Sequence, residues 1–220
     1  MDYKKLIQTF LEKNHLPNIN EDKQALKAIG ELFSLFNNEK VNISLPKELA
    51  RGMQFEAEEV VFFAGTFDPF HQGHQECLDK CPVKNIIVMP DLNPWKENRE
   101  RQNSELDSYL TLLKTIKYCV YPGFLALDHS NPTSDWIKNV DVKRKFLLMG
   151  ADTFMAIPRW KNPDILLSNL TGLYILSRKI GHKLIREQAD SFQANYQNLS
   201  IVFIEDNPYE DLSSCKLREK

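Results

Sequence analysis

The sequence predicts an open, doubly wound α/β domain with a parallel sheet and a small helical appendage at its N-terminus. Three observations predict this fold class. Short, continuous apolar runs recur along most of the chain, and amphipathic helical stretches separate them. A loop that contains two glycines and two histidines follows the first run directly. Alternation of buried strands with helices is typical of parallel sheets that carry helices on both faces.

The first 57 residues lack this alternation and form the predicted appendage. An early helix carries Leu6, Ile7, Phe10 and Leu11 on one face. A second amphipathic helix is predicted over 21–37. Its apolar positions at helical spacing are Leu26, Ile29, Leu32, Phe33 and Phe36. A further helix start is predicted at Ser44-Leu45-Pro46, because proline is tolerated in a first turn. The sequence therefore divides into an appendage at 1–57 and an α/β domain at 58–220.

The apolar runs predict the strands of the sheet. Each run is short and continuous, as expected for strands that are buried on both faces. The runs are 60–64, 85–89, 124–127, 145–149, 173–176 and 201–204. The predicted helices between them are 74–81, 105–119, 133–140 and 182–195. Because ligands of such folds bind at the carboxyl ends of the strands, the loops that follow these runs are the candidate sites.

The amino-acid composition argues against some classes of function, among them general binding to nucleic acid or to a membrane. The 220 residues are 42% hydrophobic and 26% charged, with a net charge of −2. This balance gives no general attraction for nucleic acid or for an anionic membrane. No run is long enough to span a membrane, and the first residues do not resemble a signal peptide. Four cysteines, Cys77, Cys81, Cys119 and Cys215, are too sparse for a disulfide framework, so we expect a cytoplasmic protein.

The loop after the first run carries the main candidate site. It reads GTFDPFHQGH, from Gly65 to His74, and leads directly into a predicted helix. Gly65 lets the backbone approach a ligand closely, and Gly73 leaves space beside His74. A helix start offers unpaired N–H groups to phosphate. His71 and His74 can add hydrogen bonds to a phosphate whose charge grows in a transition state.

A zinc site and a purely structural turn are the other interpretations of this loop. A zinc half-site lacks a second Cys or His pair at suitable spacing. A structural turn with two incidental histidines is the plain alternative. The sequence contains neither a P-loop motif nor the G-x-G-x-x-G dinucleotide fingerprint. Cys77 and Cys81, one helical turn apart, are better explained as small buried side chains than as a metal pair.

The GTFDPFHQGH segment resembles the signature of the HxGH nucleotidyltransferase superfamily. Within it, the chain is most similar to bacterial nicotinate-nucleotide adenylyltransferases, over roughly Val60 to the C-terminus. This resemblance implies a Rossmann-like nucleotidyltransferase fold. It also implies that His71 and His74 are catalytic, and that Gly65, Thr66 and Phe67 join them in binding ATP.

Two further segments resemble the family's ATP-binding motifs. Met149 to Phe154 resembles the GAD segment, which implies that Gly150 and Asp152 contact the adenosine, Asp152 through its ribose. The alternative for Asp152 is a helix N-cap. Near the C-terminus, LSSCKLR resembles a pattern that grips the triphosphate. It implies roles for Ser213, Ser214 and Arg218, since hydroxyls and a guanidinium bind phosphate oxygens well. A solvated tail is the alternative there.

Motifs on the acceptor side are matched less fully. The resemblance implies substrate contacts from five residues: Lys96, as a candidate phosphate contact, and Thr133, Asp135, Trp160 and Arg178. Trp160 is equally well explained by core packing, and Lys96 by a solvated loop.

Several family residues are replaced. Trp95 stands in place of a histidine, Cys215 in place of a threonine, and Ser108-Tyr109 roughly in place of a His-Arg pair. Most of these departures fall on the acceptor side.

The resemblance implies transfer of AMP from ATP to nicotinate mononucleotide, a step of NAD biosynthesis, with Mg²⁺ bound mainly through the ATP phosphates. The partners expected are therefore ATP and a phosphorylated small molecule. Nicotinamide mononucleotide and phosphopantetheine stay open as acceptors. A nucleotide-binding regulator without catalysis is the alternative from a different class. Two roles stay open for the appendage: docking of a partner and self-association into a homo-oligomer.

Overall fold

A six-stranded parallel sheet is the centre of the protein. The computed structural model describes residues 1–33, 35, 43–51, 58–91, 104–177, 182–204 and 208–209. The strands are β1 (Glu59–Gly65), β2 (Ile86–Pro90), β3 (Cys119–Val120), β4 (Arg144–Gly150), β5 (Gly172–Leu176) and β6 (Ser200–Ile204). The helices are α1 (Tyr3–Lys13), α2 (Asp22–Glu31), α3 (Gln72–Lys80), α4 (Glu105–Thr115), α5 (Thr133–Trp136), α6 (Ala151–Ala156), α7 (Pro163–Ser168) and α8 (His182–Asn195). Among the described residues, 3₁₀ helices span Gly123–Ala126, Ile137–Asn139 and Ile157–Arg159.

The strand order is β3-β2-β1-β4-β5-β6, and all pairings are parallel. The chain adds strands to one side of β1 and then crosses over to add β4 on its other side. The strand order therefore reverses between β1 and β4, and ligands of doubly wound folds usually bind at the strand ends next to such a point. The predicted fold class is confirmed.

Burial follows the position of each strand in the sheet. All residues of β2 and β5 are buried, and so are the centres of β1 and β4. Their continuous apolar runs reflect helices on both faces of the sheet. The edge strand β6 is only partly covered, and Val202 is 42% exposed.

One predicted strand is wrong. Residues 124–127 lie mostly in the 3₁₀ helix Gly123–Ala126, and the third strand is instead Cys119–Val120. Helix α4 accordingly ends at Thr115, before the predicted end at residue 119. Pro122 explains the shift, because proline has no N–H for a sheet ladder and is confined to edges and strand ends. The apolar Phe124 is buried by packing on Tyr121 and Trp136.

Some predicted helices differ in length. The stretch 133–140 divides into α5 and the 3₁₀ helix Ile137–Asn139. Helix α2 ends at Glu31, and residues 36–42 lie outside the described residues. A helix start at residues 44–46 is wrong for the described residues 43–51, which form a single turn with Ala50 N–H donating to the Pro46 carbonyl. Helices α6 and α7 were not predicted.

Helices α1 and α2 pack on the α/β domain, against α4 and the 3₁₀ helix Gly123–Ala126. Their buried side chains, among them Ile7, Leu26 and Ile29, belong to the same hydrophobic cluster as the sheet. The division of the chain at residue 57 stays a prediction, because residues 52–57 lie outside the described residues.

Three cysteines are buried free thiols: Cys77, Cys81 and Cys119. The expected burial of Cys77 and Cys81 is confirmed. Desolvation raises the pKa of the Cys119 thiol to about 12. Cys215 lies outside the described residues. In the part of the chain that the structure describes, no helix is long and apolar enough to cross a membrane.

Phe62→Ala tests the importance of the central strand. Phe62 is fully buried in β1, and its ring packs edge-on against Trp136 at 5.2 Å between centroids. We expect the free energy of unfolding to fall by about 3–5 kcal/mol, because truncation leaves a cavity in a close-packed core. Chemical denaturation measures this change. As the control, Val202→Ala on the edge strand should cost less than about 1 kcal/mol. Equal losses in both variants would contradict a core centred on β1.

Candidate active site

The candidate site lies where β1 and β4 end side by side. Phe62 pairs with Leu147 in register, so Gly65 and Gly150 end their strands at the same level. The loop from Gly65 to His71 leaves β1, and α6 begins directly after Gly150. The two segments that resemble nucleotide-binding motifs are therefore neighbours at one edge of the sheet.

The first part of the β1 loop folds back over the strand end. Phe67 has a left-handed backbone conformation with φ of 48°. Its ring covers Gly65, where an added Cβ would lie 3.1 Å from the Phe67 Cζ atom. Asp68 and Pro69 form the predicted turn. Any side chain at residue 65 would thus displace the Phe67 ring, which explains the need for glycine there.

His71 caps the N-terminus of α3. Its Nδ1 atom accepts a hydrogen bond from the Gly73 backbone N–H at 3.1 Å. In return, the His71 backbone N–H donates to His74 Nδ1 at 3.3 Å, and the pair forms a capping box. Serine, threonine and carboxyl side chains usually provide such acceptors. Here two imidazoles cap the helix for each other.

The two capping hydrogen bonds fix the tautomer of both imidazole rings. Because each Nδ1 accepts a backbone N–H, the ring proton of each neutral imidazole is on Nε2. The His71 and His74 rings stack with centroids 3.7 Å apart and an angle of 20° between planes. Two Nε2–H donors are thus held together at a helix start, where the helix dipole also favours an anion.

Aromatic rings surround His74. The centroids of Phe67 and Phe70 lie 5.1 and 5.3 Å from the His74 centroid, and that of Phe63 lies 6.1 Å away. His71 is 8% exposed. Rings packed in this way have little freedom to turn, so the donor positions are set before a ligand binds.

Asp152 lies in the first turn of α6 and is exposed. The N-cap of α6 is Gly150, so the alternative interpretation of Asp152 as the cap is wrong. A carboxylate in the first helical turn is favoured by the helix dipole. At this edge of the sheet it can also accept hydrogen bonds from a ligand hydroxyl.

A pocket opens on the other side of the β1 loop. Residues from the loop, from β2, from α4 and from the 3₁₀ helix Gly123–Ala126 line it. They are Thr66, Phe67, Asp68, Pro90, Ser108, Leu112 and Leu125. Thr66 and Phe67, which are predicted to bind ATP, thus also line this pocket. Ser108 and the two leucines were not among the predicted site residues.

The two candidate acceptor-binding residues on α5 are limited in their ability to contact a ligand, one by burial and the other by an ion pair. Thr133 is buried at 9% exposure. Asp135 forms an ion pair with Lys161 at 2.8 Å, and Lys161 follows Trp160 directly. This ion pair brings Asp135 and the Trp160 segment together. The partly buried Trp160 packs against the hydrophobic core, as one of its two interpretations expected.

Asp91 is a residue that sequence analysis missed. Its carboxylate accepts the Asn131 backbone N–H at 3.2 and 3.3 Å, and its own N–H donates to the Gly65 carbonyl. Asp91 therefore joins the end of β1 to the segment that leads into α5. The signal available was its position directly after a predicted strand.

The remaining predicted site residues lie outside the described residues: Lys96, Arg178, Ser213, Ser214 and Arg218. The nearby C-terminal segment is described only at 208–209, where the Tyr209 carbonyl approaches α3 near Gly73.

The fold and the paired histidines define the class of protein as a nucleotidyltransferase of the HxGH superfamily. The cytidylyltransferase-like family model matches residues 62–220, so the chain belongs to that family. The predicted resemblance is confirmed.

Curated relatives agree with this assignment. A probable nicotinate-nucleotide adenylyltransferase of Sulfurovum sp. (strain NBC37-1) is 31% identical over 172 residues, which cover 74% of this chain and 84% of the relative. A protein of the same name from Clostridium novyi (strain NT) is 27% identical over 173 residues, covering 72% and 84%. The Plasmodium falciparum nicotinic acid mononucleotide adenylyltransferase, solved as a complex with APC, has the same fold with a TM-score of 0.50. It is 16% identical, and the match covers 73% of this chain and 82% of that one.

His74→Ala tests the assignment of the loop. We expect turnover, followed as pyrophosphate release from the nucleoside triphosphate, to fall at least ~100-fold, the scale for loss of one preorganised donor. Circular dichroism should show an intact fold. The matched control is His129→Ala, since His129 is exposed. Near-normal turnover by folded His74→Ala would disprove a catalytic role for this imidazole.

Gly73→Ala tests the packing of the His71 ring. An added Cβ would lie 3.1 Å from His71 Cε1 and 3.2 Å from Nδ1, closer than ordinary contact. We expect kcat to fall about tenfold, because small misplacements of catalytic groups are costly. Thermal stability should hold, since alanine is the better helix former. The exposed neighbour offers the control Gln72→Ala. Equal kcat in both variants would contradict this role for Gly73.

Proposed function

We propose that this protein transfers AMP from ATP to nicotinate mononucleotide, giving deamido-NAD and pyrophosphate. The observation that carries the proposal is the stacked pair of His71 and His74, whose Nε2–H groups are held at the start of α3. The names of the curated relatives support nicotinate mononucleotide as the acceptor.

The proposed reaction is a single in-line displacement. A phosphate oxygen of the acceptor attacks the α-phosphorus of ATP and forms the new P–O bond. The bond from the α-phosphorus to the bridging oxygen breaks, and pyrophosphate leaves with the electron pair. The attacking phosphate is already anionic near neutral pH, so no general base is needed. Catalysis then consists of positioning and charge stabilisation.

His71 and His74 supply that charge stabilisation in our proposal. Their Nε2–H groups donate to oxygens of the α- and β-phosphates, where negative charge grows as the P–O bond breaks. Hydrogen bonds from neutral imidazoles suffice for this role, so it needs no protonated histidine. The fixed tautomers mean that no ring has to reorganise during the reaction.

Other groups hold the nucleotide. The Gly65–Phe67 backbone and Gly150 lie at the strand ends, and Asp152 accepts hydrogen bonds from the ribose. We assign Ser213, Ser214, Arg218 and Lys96 to the departing pyrophosphate. Hydroxyls and cations at that position stabilise the leaving group.

Mg²⁺ would take most of its ligands from the triphosphate. Among the described residues, no group of three or more His, Cys, Asp or Glu side chains is arranged to hold a metal ion. The donors near the β1 loop, two imidazole N–H groups, suit phosphate oxygens and cannot coordinate a cation through those atoms. When bound, Mg²⁺ neutralises charge on the phosphates.

The acceptor would enter the pocket between the β1 loop and α4. The buried side chains of Leu112 and Leu125 form the apolar part of its lining, and the partly exposed Ser108 adds a hydroxyl. We keep Thr133, Asp135, Trp160 and Arg178 as proposed acceptor contacts. Asp135 would act while paired with Lys161, which leaves the ion pair without net charge.

The decisive experiment measures pyrophosphate release in the presence of Mg²⁺. ATP is offered with nicotinate mononucleotide, nicotinamide mononucleotide or phosphopantetheine, and each acceptor is repeated with CTP. We expect release with ATP and nicotinate mononucleotide, and mass spectrometry of the product should find deamido-NAD.

Release with nicotinamide mononucleotide alone would replace the proposed acceptor and keep the reaction type. Pyrophosphate release with CTP in place of ATP would show that CTP is the nucleotide donor, and the proposed donor would then be wrong. Binding of ATP without release in any arm would refute the enzymatic function and favour a nucleotide-binding regulator.

A further inference from the structure

We propose that the N-terminal segment, of which residues 1–33, 35 and 43–51 are described, positions the outer wall of the acceptor pocket. Gly30 and Arg51 are the positioning residues, and neither one is part of the pocket lining. The proposal rests on the proposed function only for the identity of the pocket as the acceptor site. It assigns a function to a part of the chain that lies outside the matched family region.

The outer wall consists of α4 and the 3₁₀ helix Gly123–Ala126. Ser108 and Leu112 of α4 and Leu125 of the 3₁₀ helix line the pocket. The N-terminal segment packs against both of these elements. It therefore lies behind the wall, with the pocket in front.

Helix α4 presents different faces to its two neighbours. Ser108 and Leu112 are one helical turn apart and line the pocket. Tyr109 and Leu113, one residue further on, are not part of the pocket lining and are fully buried. Burial raises the pKa of the Tyr109 hydroxyl, which lies close enough to Arg51 to sense its charge. Movement of α4 on the N-terminal segment would thus move the pocket face by the same amount.

Arg51 holds the C-terminal end of α4. Its Nη2 group donates to the Leu113 carbonyl at 2.5 Å, in the last turn of the helix. The guanidinium also lies over the Tyr3 ring of α1, 5.3 Å from the centroid. A cation at a helix C-terminus is favoured by the helix dipole. Arg51 thereby joins α1, α4 and the end of the N-terminal segment.

Gly30 allows α2 to touch the 3₁₀ helix Gly123–Ala126. A Cβ added at Gly30 would lie 2.7 Å from Gly123 Cα and 3.1 Å from Gly123 N. Both of these are backbone atoms, so they cannot move aside as a flexible side chain would. Any side chain at residue 30 therefore pushes α2 and the 3₁₀ helix apart, and Leu125 with it.

A chain of aromatic contacts continues from this point into the sheet. Phe33 packs on Tyr121 at 5.5 Å, Tyr121 on Phe124 at 5.0 Å, and Phe124 on Trp136 at 5.5 Å. Trp136 packs on Phe62 of β1. Close-packed rings transmit a displacement because they leave no free volume to absorb it. The N-terminal segment is thus connected by packed rings to the 3₁₀ helix Gly123–Ala126 of the outer wall and to strand β1.

The substitution Gly30→Ala tests the proposal. Alanine is the better helix former, so a loss of function would come from the steric conflict with Gly123. We expect KM for the acceptor to rise about tenfold, since misplaced binding groups are costly. KM for ATP should stay unchanged, because neither α4 nor the 3₁₀ helix Gly123–Ala126 carries any of the proposed ATP contacts. The matched control is Gln24→Ala on the exposed face of α2.

Hydrogen–deuterium exchange gives a readout that does not depend on activity. Exchange over residues 104–127 should be faster in Gly30→Ala than in the wild type, while β4 keeps its protection. Arg51→Ala should behave in the same way. Arg51→Lys should restore part of the protection and of the acceptor KM, because lysine can still donate to the Leu113 carbonyl.

The outcomes separate this proposal from the proposed function. Unchanged exchange over 104–127 in folded Gly30→Ala would overturn it, and so would faster exchange with an unchanged acceptor KM. Equal rises of both KM values would also overturn it. A wild type that uses no acceptor refutes the proposed function instead, and the exchange result then still decides whether the segment holds the wall.

Discussion

The parallel pairing of β1 with β4 is the constraint on which the rest of the site depends. It brings two strand ends that are 85 positions apart in sequence, Gly65 and Gly150, to the same level. Both strands are covered on their two faces, so neither can slide without exposing its apolar side chains to water. The β1 loop and the start of α6 consequently have fixed positions relative to each other, and a nucleotide bound there contacts a preformed surface.

The second constraint on the site is local and lies at the start of α3. Nδ1 of His71 and of His74 is occupied by backbone N–H groups of the same helix start, so the fold itself sets ring position and tautomer. A serine cap would satisfy the helix as well, but its O–H donor would lie on the same oxygen that caps the helix, whereas imidazole carries its donor on a separate ring atom. In the proposed reaction each imidazole therefore has two roles: it caps α3 through Nδ1, and it would donate to phosphate through Nε2–H. Gly73 is the residue that makes room for this.

The sequence predicts the fold well where burial is continuous and poorly where elements are short. Five of the six strands are found from their apolar runs, but Cys119–Val120 is too short to show a pattern. The run at 124–127 has the composition of a strand, and only Pro122 indicates otherwise. The histidine motif is visible in the sequence, whereas its mutual capping is not, because histidine is an unusual cap. The Asp91–Asn131 contact joins residues 40 positions apart, and no local pattern indicates it.

The structure connects two features that look unrelated in the sequence: the additional helices and the altered motif at Ser108-Tyr109. The family resemblance assigns that position a His-Arg pair on the acceptor side. In this chain Ser108 lines the pocket, while Tyr109 is fully buried and close to Arg51 of the N-terminal segment. A charged side chain at residue 109 would be buried under that segment at a high desolvation cost, so a residue with an aromatic ring is the compatible choice. The N-terminal helices and the absence of the charged pair are therefore connected: the helices bury residue 109 of α4, and an uncharged side chain is compatible with that burial.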